Sequence, residues 1–327
     1  MQKELGKKRS LDDVVAKYSV KTTSYLDDMM NNEAIERQYL PDVRELDTLS
    51  SENADPIGDK AHEPVKGVVH RYPDRVLLKP HHACAVYCRF CFRRDMVGRN
   101  GEVLSAEELN HALDYIRRTP EIWEVILTGG DPLALSDRRL TEILQNLEAI
   151  EHVKVIRIHT RVPVADPNRI TTELCDIFKQ CQKPIYVSIH CNHADELQAQ
   201  AIHAIEALGA SGAVLISQTV LLKGINDNAA TLESLFRELV ASGVKPYYLH
   251  HPDKARGTSH FRLSLERGLQ IYSSLRGRLS GIAIPQYMLD IPGGHGKVDV
   301  TSAVQKINTG TYQVIVPNGV THIYTDD

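Results

Sequence analysis

Apolar positions divide the chain into three unequal parts. Up to about residue 70 they are scattered among charged and turn-forming residues. Helical spacing shows there only in 11–18 and 31–39, before a stretch rich in Asp, Glu and Pro that runs to Glu63. Residues 1–70 therefore read as an N-terminal helical arm rather than a separately folded domain. After Arg71, short β-branched runs alternate with amphipathic segments. The runs 75–78, 124–127, 153–158, 185–189, 213–220 and 246–249 predict strands. Helices are predicted between them over 136–150, 168–179, 194–208, 228–242 and 264–276, and another opens at the capping box Ser105-x-x-Glu108. Six such units specify parallel strands joined by right-handed crossovers and covered by helices. Six fall short of the eight of a complete TIM-type barrel, so the expected fold class is α/β, a partial (β/α)6 TIM-type barrel over 71–297. The last part, 298–327, changes pattern again. Tyr312 to Val316 and Val320 to Tyr324 flank Pro317-Asn318-Gly319, and Asn-Gly is a tight-turn signal, so this C-terminal extension is expected to hold a β-hairpin.

In β/α barrels the loops after the strands build the active face. Here Gly129-Gly130-Asp131-Pro132 follows the second predicted strand, and Arg157, His159 and Arg161 end or follow the third. Ser188 and His190 end the fourth, Gln218 the fifth, and His250, His251 and Asp253 follow the sixth. These polar groups are expected to converge on one mouth.

The loop after the first strand carries the densest chemistry. Cys84, Cys88 and Cys91 form a C-x3-C-x2-C array that uses three of the six cysteines. An iron–sulfur cluster normally takes four Cys ligands, so a three-Cys cluster keeps one iron open to a small molecule. The competing reading is a closed Cys3His zinc site completed by His81 or His82, although zinc motifs usually pair two short spacings across a longer loop. Cys175, Cys181 and Cys191 have no metal spacing and read as buried small residues.

Composition narrows the partners. A net charge of -4 argues against a nucleic-acid surface, so the basic run Arg89, Arg93, Arg94 and Arg99 is expected to face an anionic ligand or the cluster. Residues 1–13 are charged, with no apolar run and cleavage site, and no stretch approaches the roughly 20 apolar residues that cross a bilayer. The expected setting is cytoplasmic, away from membranes.

Three motifs together carry a resemblance. Cys84-x3-Cys88-x2-Cys91 followed by Arg93-Arg94, then Thr128-Gly129-Gly130-Asp131-Pro132, then Asp290-Ile291-Pro292-Gly293-Gly294-His295-Gly296-Lys297 resembles the radical S-adenosylmethionine enzymes of the lysine 2,3-aminomutase family. The likeness runs from about Val65 to the C-terminus. It is strongest for the short members that supply (R)-β-lysine to elongation factor P. It makes the expected barrel a radical S-adenosylmethionine core.

The resemblance implies three cofactors. A [4Fe-4S] cluster on Cys84, Cys88 and Cys91 would bind S-adenosylmethionine through its open iron and cleave it to a 5′-deoxyadenosyl radical. Gly129, Gly130, Asp131, His190 and Gln218 match positions that contact S-adenosylmethionine. Two glycines let backbone approach the methionyl end, and an exposed Asp131 edge could meet its ammonium. An ordinary strand-to-helix turn, and satisfied core polar groups at His190 and Gln218, are the plainer readings. Lys297 matches the lysine that holds pyridoxal 5′-phosphate, for which a flexible glycine loop would give its amine reach. His295 stands where many members have glycine, which an ordinary φ would allow. Arg71 and Arg75 match the phosphate-binding arginines, and guanidinium forks suit a dianion. Ion pairs with Asp74 or Glu63 are the alternative for them.

Substrate choice rests on three further matches. Arg93 corresponds to the arginine that holds the substrate carboxylate, and Asp253 and Asp290 to the pair that holds the ε-ammonium of lysine. A carboxylate pair suits a buried cation. A bland place for Asp253 in a Pro-Asp turn stays open. The implied reaction is a 1,2-amino shift that turns L-lysine into β-lysine. Arginine or ornithine as substrate, and a non-catalytic zinc-binding protein, are the alternatives. An electron donor such as flavodoxin or ferredoxin would be needed, and a homo-oligomer is left open.

Overall fold

The computed structural model describes residues 9–98, 102–316 and 319–327. Arg99, residues 1–8 of the charged N-terminus, and Pro317 and Asn318 of the expected turn lie outside the described residues.

Nine strands form one sheet in chain order: β1 (Val68–Tyr72), β2 (Arg75–His81), β3 (Glu124–Gly129), β4 (Val155–Thr160), β5 (Ile185–His190), β6 (Val214–Val220), β7 (Lys245–His250), β8 (Gln286–Ile291) and β9 (Gly296–Asp299). Strands β2 to β8 are all parallel, while β1 and β9 run antiparallel at the two edges. The six expected strands are β2 to β7, so the partial α/β barrel stands. The sequence reading missed β1, β8 and β9.

The crossover helices begin where the caps placed them. Ser105 forms its capping box with Glu108 before helix Ala106–Arg117. Ser136, Thr171, Asn228 and Ser264 cap the helices Asp137–Glu148, Thr172–Gln180, Ala229–Ala241 and Leu265–Leu275. Two helices start later than expected, at Thr172 and Ala199, because short 3-10 turns take up Pro167–Arg169 and Ala194–Glu196 first. Apolar faces such as Leu109, Leu113 and Ile116, or Leu232, Leu235 and Phe236, pack against Val125, Leu127, Ile156 and Val187 of the sheet in one core.

The sheet does not close by backbone pairing, and side chains span the seam. The Tyr72 hydroxyl on β1 accepts from the Lys297 amide on β9 at 2.8 Å, and Arg71 Nη1 donates to Asp290 Oδ1 on β8 at 3.1 Å. Three of the residues singled out from sequence therefore sit at one seam.

The arm is not a loose appendage. Leu26, Ile35 and Tyr39 form a buried cluster with Val86 of the cysteine loop and Ala165. The C-terminal extension is a three-stranded antiparallel sheet of β10 (Val304–Asn308), β11 (Thr311–Ile315) and β12 (Thr321–Thr325). The expected hairpin is its β11–β12 half. Strand β10 escaped detection because it is mostly exposed and shows no buried alternation. Among the described residues no helix is long and apolar enough to cross a membrane.

Candidate active site

A cavity of about 640 Å³ opens at the carboxyl ends of the parallel strands, within the ordinary range for small-molecule sites. Cys84, Cys88 and Cys91 line one wall and Lys297, Asp290 and Asp253 another.

The cysteine wall is held from both sides. Gly130 N donates to His81 O at 2.7 Å and Asp131 N to Ala83 O at 2.9 Å, tying the loop to the end of β3. From the arm, Lys21 O accepts from Tyr87 N at 3.0 Å and Gln38 O from Arg89 N at 2.8 Å. The two glycines are needed for this backbone packing. A Cβ on Gly130 would lie 2.0 Å from Ala83 O, and Gly129 has φ of 109°. Gly130→Ala must therefore push the cysteine loop outward at a cost of about 1–3 kcal/mol. The expected outcome is a severalfold drop in iron bound per chain after anaerobic reconstitution, measured against wild type.

Burial pushes all three thiols up, Cys88 to about 11, and Cys84 is raised further by Cys91 and Cys88. Such sulfurs ionise against a bound cationic centre, which suits iron. His81, one of the two histidines considered for a zinc site, turns its Nε2 to Asp131 O at 2.9 Å.

Asp131 differs from its expected exposed edge. Its carboxylate is buried and accepts from Thr160 Oγ1 at 2.7 Å, Arg161 N at 2.6 Å and Leu133 N at 3.0 Å. A carboxylate taken out of water needs such donors, and this one fixes the end of β4. Arg161 then reaches the Tyr39 hydroxyl at 2.6 Å, Gln38 Oε1 at 2.5 Å and Glu196 Oε2 at 2.6 Å. This buried guanidinium opposes the rise in the Cys88 pKa that burial causes.

The basic run is also spent internally. Arg89 pairs with Glu45 at 2.5 Å, Arg94 pairs with the same carboxylate, and Arg93 Nε and Nη2 donate to Asp59 Oδ2 at 3.1 and 2.7 Å. Buried guanidinium groups require counter-charges, and the arm supplies them, while Arg93 alone of the three also lines the cavity. Arg93 Nη1 is turned away from Asp59, toward Thr128 Oγ1 at 3.5 Å.

At the seam, the Lys297 ammonium pairs with Asp290 Oδ2, and Asp290 Oδ1 takes Arg71. Burial works against the ammonium, but Asp290 and Asp253 outweigh it and raise its pKa. Burial and the neighbouring Asp290 push Asp253 up to about 7. Lys297 is on β9 behind a tight turn, not on a flexible loop. Gly293, Gly294 and Gly296 take positive φ, whereas His295 keeps an ordinary one and stacks on His322 at 3.9 Å. Arg75 pairs with Asp74 at 2.6 Å and lies 3.9 Å over the Tyr72 ring, yet still lines the cavity. The buried Nε atoms of Arg71 and Arg157 have no hydrogen-bond partner, so both retain donors for an anion.

Between these walls lie His159, His190 and Gln218, with Gln218 Nε2 3.1 Å from His159 Nε2. Burial lowers both histidines, His190 to about 3, so they act as neutral hydrogen-bonding rings. His251 and Ser188 do not join the mouth. His251 turns to the Tyr287 hydroxyl at 2.8 Å, and Ser188 is fully buried. Cys175 and Cys191 are buried as expected, and Cys181 is partly so. Arg157 lines the cavity as expected, whereas sequence reasoning missed Asp59, Glu45 and Tyr72, none of which carries a local signal.

Comparison with known proteins agrees with this geometry. The Radical SAM superfamily profile matches residues 78–235. The chain is 40% identical over 294 residues to the L-lysine 2,3-aminomutase of Fusobacterium nucleatum, covering 89% of this chain and 69% of that protein. It is 40% identical over 246 residues to the glutamate 2,3-aminomutase of Clostridioides difficile, covering 75% of this chain and 58% of that protein. A radical SAM methyltransferase from Sphaerobacter thermophilus shares the fold at a TM-score of 0.50 and 21% identity, over 68% of each chain.

Proposed function

The chain belongs to the lysine 2,3-aminomutase family of radical SAM isomerases, and on that premise we propose that it converts L-lysine to β-lysine. One observation carries the choice of lysine. An aliphatic ammonium, that of Lys297, is already held by Asp290 with Asp253 beside it. Once Lys297 is engaged elsewhere, the same acids are left for the distal ammonium of the substrate.

The donor set fits the cofactors of the family. A [4Fe-4S] cluster on Cys84, Cys88 and Cys91, with S-adenosylmethionine near Gly129, Gly130, His190 and Gln218, would supply the hydrogen-abstracting radical. Pyridoxal 5′-phosphate on Lys297 would supply the conjugated system that carries the migrating nitrogen. Arg71 and Arg75 are assigned to its phosphate, with the unpartnered Nε of Arg71 as the available donor. Asp131 is assigned to shaping the S-adenosylmethionine wall through Thr160 and Arg161.

Arg93 is assigned to the substrate carboxylate through its Nη1, while Asp59 keeps the guanidinium plane fixed. Carboxylate and ammonium clamps at two ends hold an extended amino acid in one orientation, which is the positioning a radical abstraction needs. Glutamate would set a third carboxylate against Asp253 and Asp290 and is disfavoured by like-charge repulsion.

The acid pair gives a pH dependence. Asp253 must be ionised to hold the ammonium, and protons compete below its pKa of about 7. We expect kcat/KM for lysine to fall by up to about tenfold per pH unit below that value, and Asp253→Asn to remove this acid limb. A profile unchanged in Asp253→Asn would reject the assignment.

The reading is completed by an acidic flavodoxin or ferredoxin as reductant, by a reducing, cytoplasmic setting for the exposed-iron cluster, and by elongation factor P as destination of the product. Self-association is left to a sedimentation measurement. The deciding experiment is anaerobic incubation of the reconstituted protein with lysine, arginine, ornithine and glutamate, followed by chromatography. β-Lysine as the dominant product is expected; turnover of another amino acid in its place would overturn the choice.

A further inference from the structure

The loop that carries Asp253 is tethered by parts of the chain remote from the barrel. It leaves β7 after His250 and hangs on the sheet through His251 N, which donates to Met288 O at 2.8 Å. Beyond Asp253 it is fastened to the arm, to the C-terminal segment and, through Gly257 O at 3.0 Å, to Arg94 Nη1 of the cysteine loop. Asn53 N donates to Lys254 O at 2.9 Å, and Gly257 N to Glu52 Oε2 at 3.0 Å. Lys254 Nζ, almost wholly buried, donates to Thr325 O at 2.6 Å and to Asp327 Oδ1 at 3.2 Å. Arg262, also buried, joins both tethers, pairing with Glu52 at 2.8 Å and with Asp327 through its Nε.

We infer that Asp327 is a positioning residue for recognition of the substrate's distal ammonium, acting on Asp253 through its neighbour Lys254. The inference rests on the proposed role of Asp253. Its physical basis is the adjacency of the two side chains on one short loop. A buried ammonium holds its place only while its counter-charge does. With Asp327 neutralised, Lys254 keeps only uncharged partners, the Thr325 carbonyl and the Tyr324 ring 4.9 Å away among them, and the loop relaxes toward solvent to hydrate the ammonium. Asp253 moves with it and the acid pair opens. Glu52 of the arm and Asp327 after the C-terminal sheet, neither of which lines the cavity, thereby set how tightly a cationic side chain is held. Arg93 is held by Asp59 rather than by this tether and is left in place.

The test is steady-state kinetics of Asp327→Asn holoenzyme with L-lysine, together with inhibition by L-norleucine, which has the same chain length and no distal ammonium. KM for lysine is expected to rise about tenfold with kcat within about twofold, and the norleucine inhibition constant to stay at its wild-type value. In an Asp253→Asn background the same substitution should add little, since both act on one interaction. Loss of affinity for norleucine equal to that for lysine, a fall in kcat at constant KM, or full additivity with Asp253→Asn overturns the inference. Asp253→Asn alone separates the two layers. If it leaves lysine KM unchanged, the acid-pair assignment fails, whereas a raised KM there with an unchanged KM in Asp327→Asn rejects only the positioning role. Lys254→Met cuts the same tether from the other side and carries the test if Asp327→Asn does not fold.

Discussion

Lys297→Ala is expected to lose pyridoxal phosphate binding and β-lysine formation together, with activity down by at least about a thousandfold. The amine sits at the barrel seam, paired with Asp290 while its own amide donates to the Tyr72 hydroxyl at 2.8 Å. No other lysine lines this cavity among the described residues, so nothing replaces the amine. Removing its charge also leaves Asp290 with Arg71 and brings the like charge of Asp253 into play. Asp253 relieves this by taking a proton, because burial and Asp290 already hold its pKa near 7. The fold should therefore survive. Lys297→Arg separates charge from chemistry: it keeps a cation for Asp290 but offers no amine to the aldehyde, so it should be as inactive as the alanine variant. Both variants should retain the visible absorbance of the cluster, because the cysteine wall is built by other residues. Full β-lysine formation in either variant would remove Lys297 from the mechanism, as would wild-type uptake of pyridoxal phosphate.

Local signals made much of this protein legible. Six parallel strands were readable because most are short apolar runs followed by a capped amphipathic helix, as with Glu124–Gly129 before Asp137–Glu148. The seventh, Gln286–Ile291, carries Asp290 beside a Pro-Gly-Gly turn and looks like the start of a functional loop. Gly296–Asp299 is four residues long and begins with glycine, below what periodicity detects. The cysteines and the glycine turn were visible because their spacing is itself local. The counter-charges were not. Glu45 and Asp59 lie in a polar stretch that resembles any solvated loop, and only the folded arm brings them to Arg89, Arg94 and Arg93. Asp131 failed in the opposite way: its position was right, but its carboxylate serves Thr160 and Arg161 behind the wall instead of facing the cavity with a free edge. Sequence pattern locates a buried polar residue more readily than it tells which buried donors that residue satisfies, since those donors come from other strands.

Cys88→Ala is the reciprocal case, and it should abolish cluster assembly and all cleavage of S-adenosylmethionine while pyridoxal phosphate still binds. Cys88 lies between Cys84 and Cys91 in a loop fastened by Lys21 and Gln38 of the arm and by Gly130 and Asp131 of the barrel. Loss of the middle sulfur leaves two thiols that burial holds protonated and that have no third donor to share iron. Neighbouring groups give no substitute, because Arg161 and Glu196 are paired to each other at 2.6 Å and His81 is turned to Asp131 O. The loop itself should keep its place, since its fastenings are backbone hydrogen bonds and the Arg89–Glu45 pair rather than the sulfur. Iron content, visible absorbance and 5′-deoxyadenosine release are the measurements, with pyridoxal phosphate uptake as the internal control. Iron retained at the wild-type level would show that Cys88 is not a ligand. Joint loss of iron and pyridoxal phosphate would show that the two walls are coupled through Asp59, the carboxylate that pairs with both Arg93 of the cysteine loop and Arg71 of the seam.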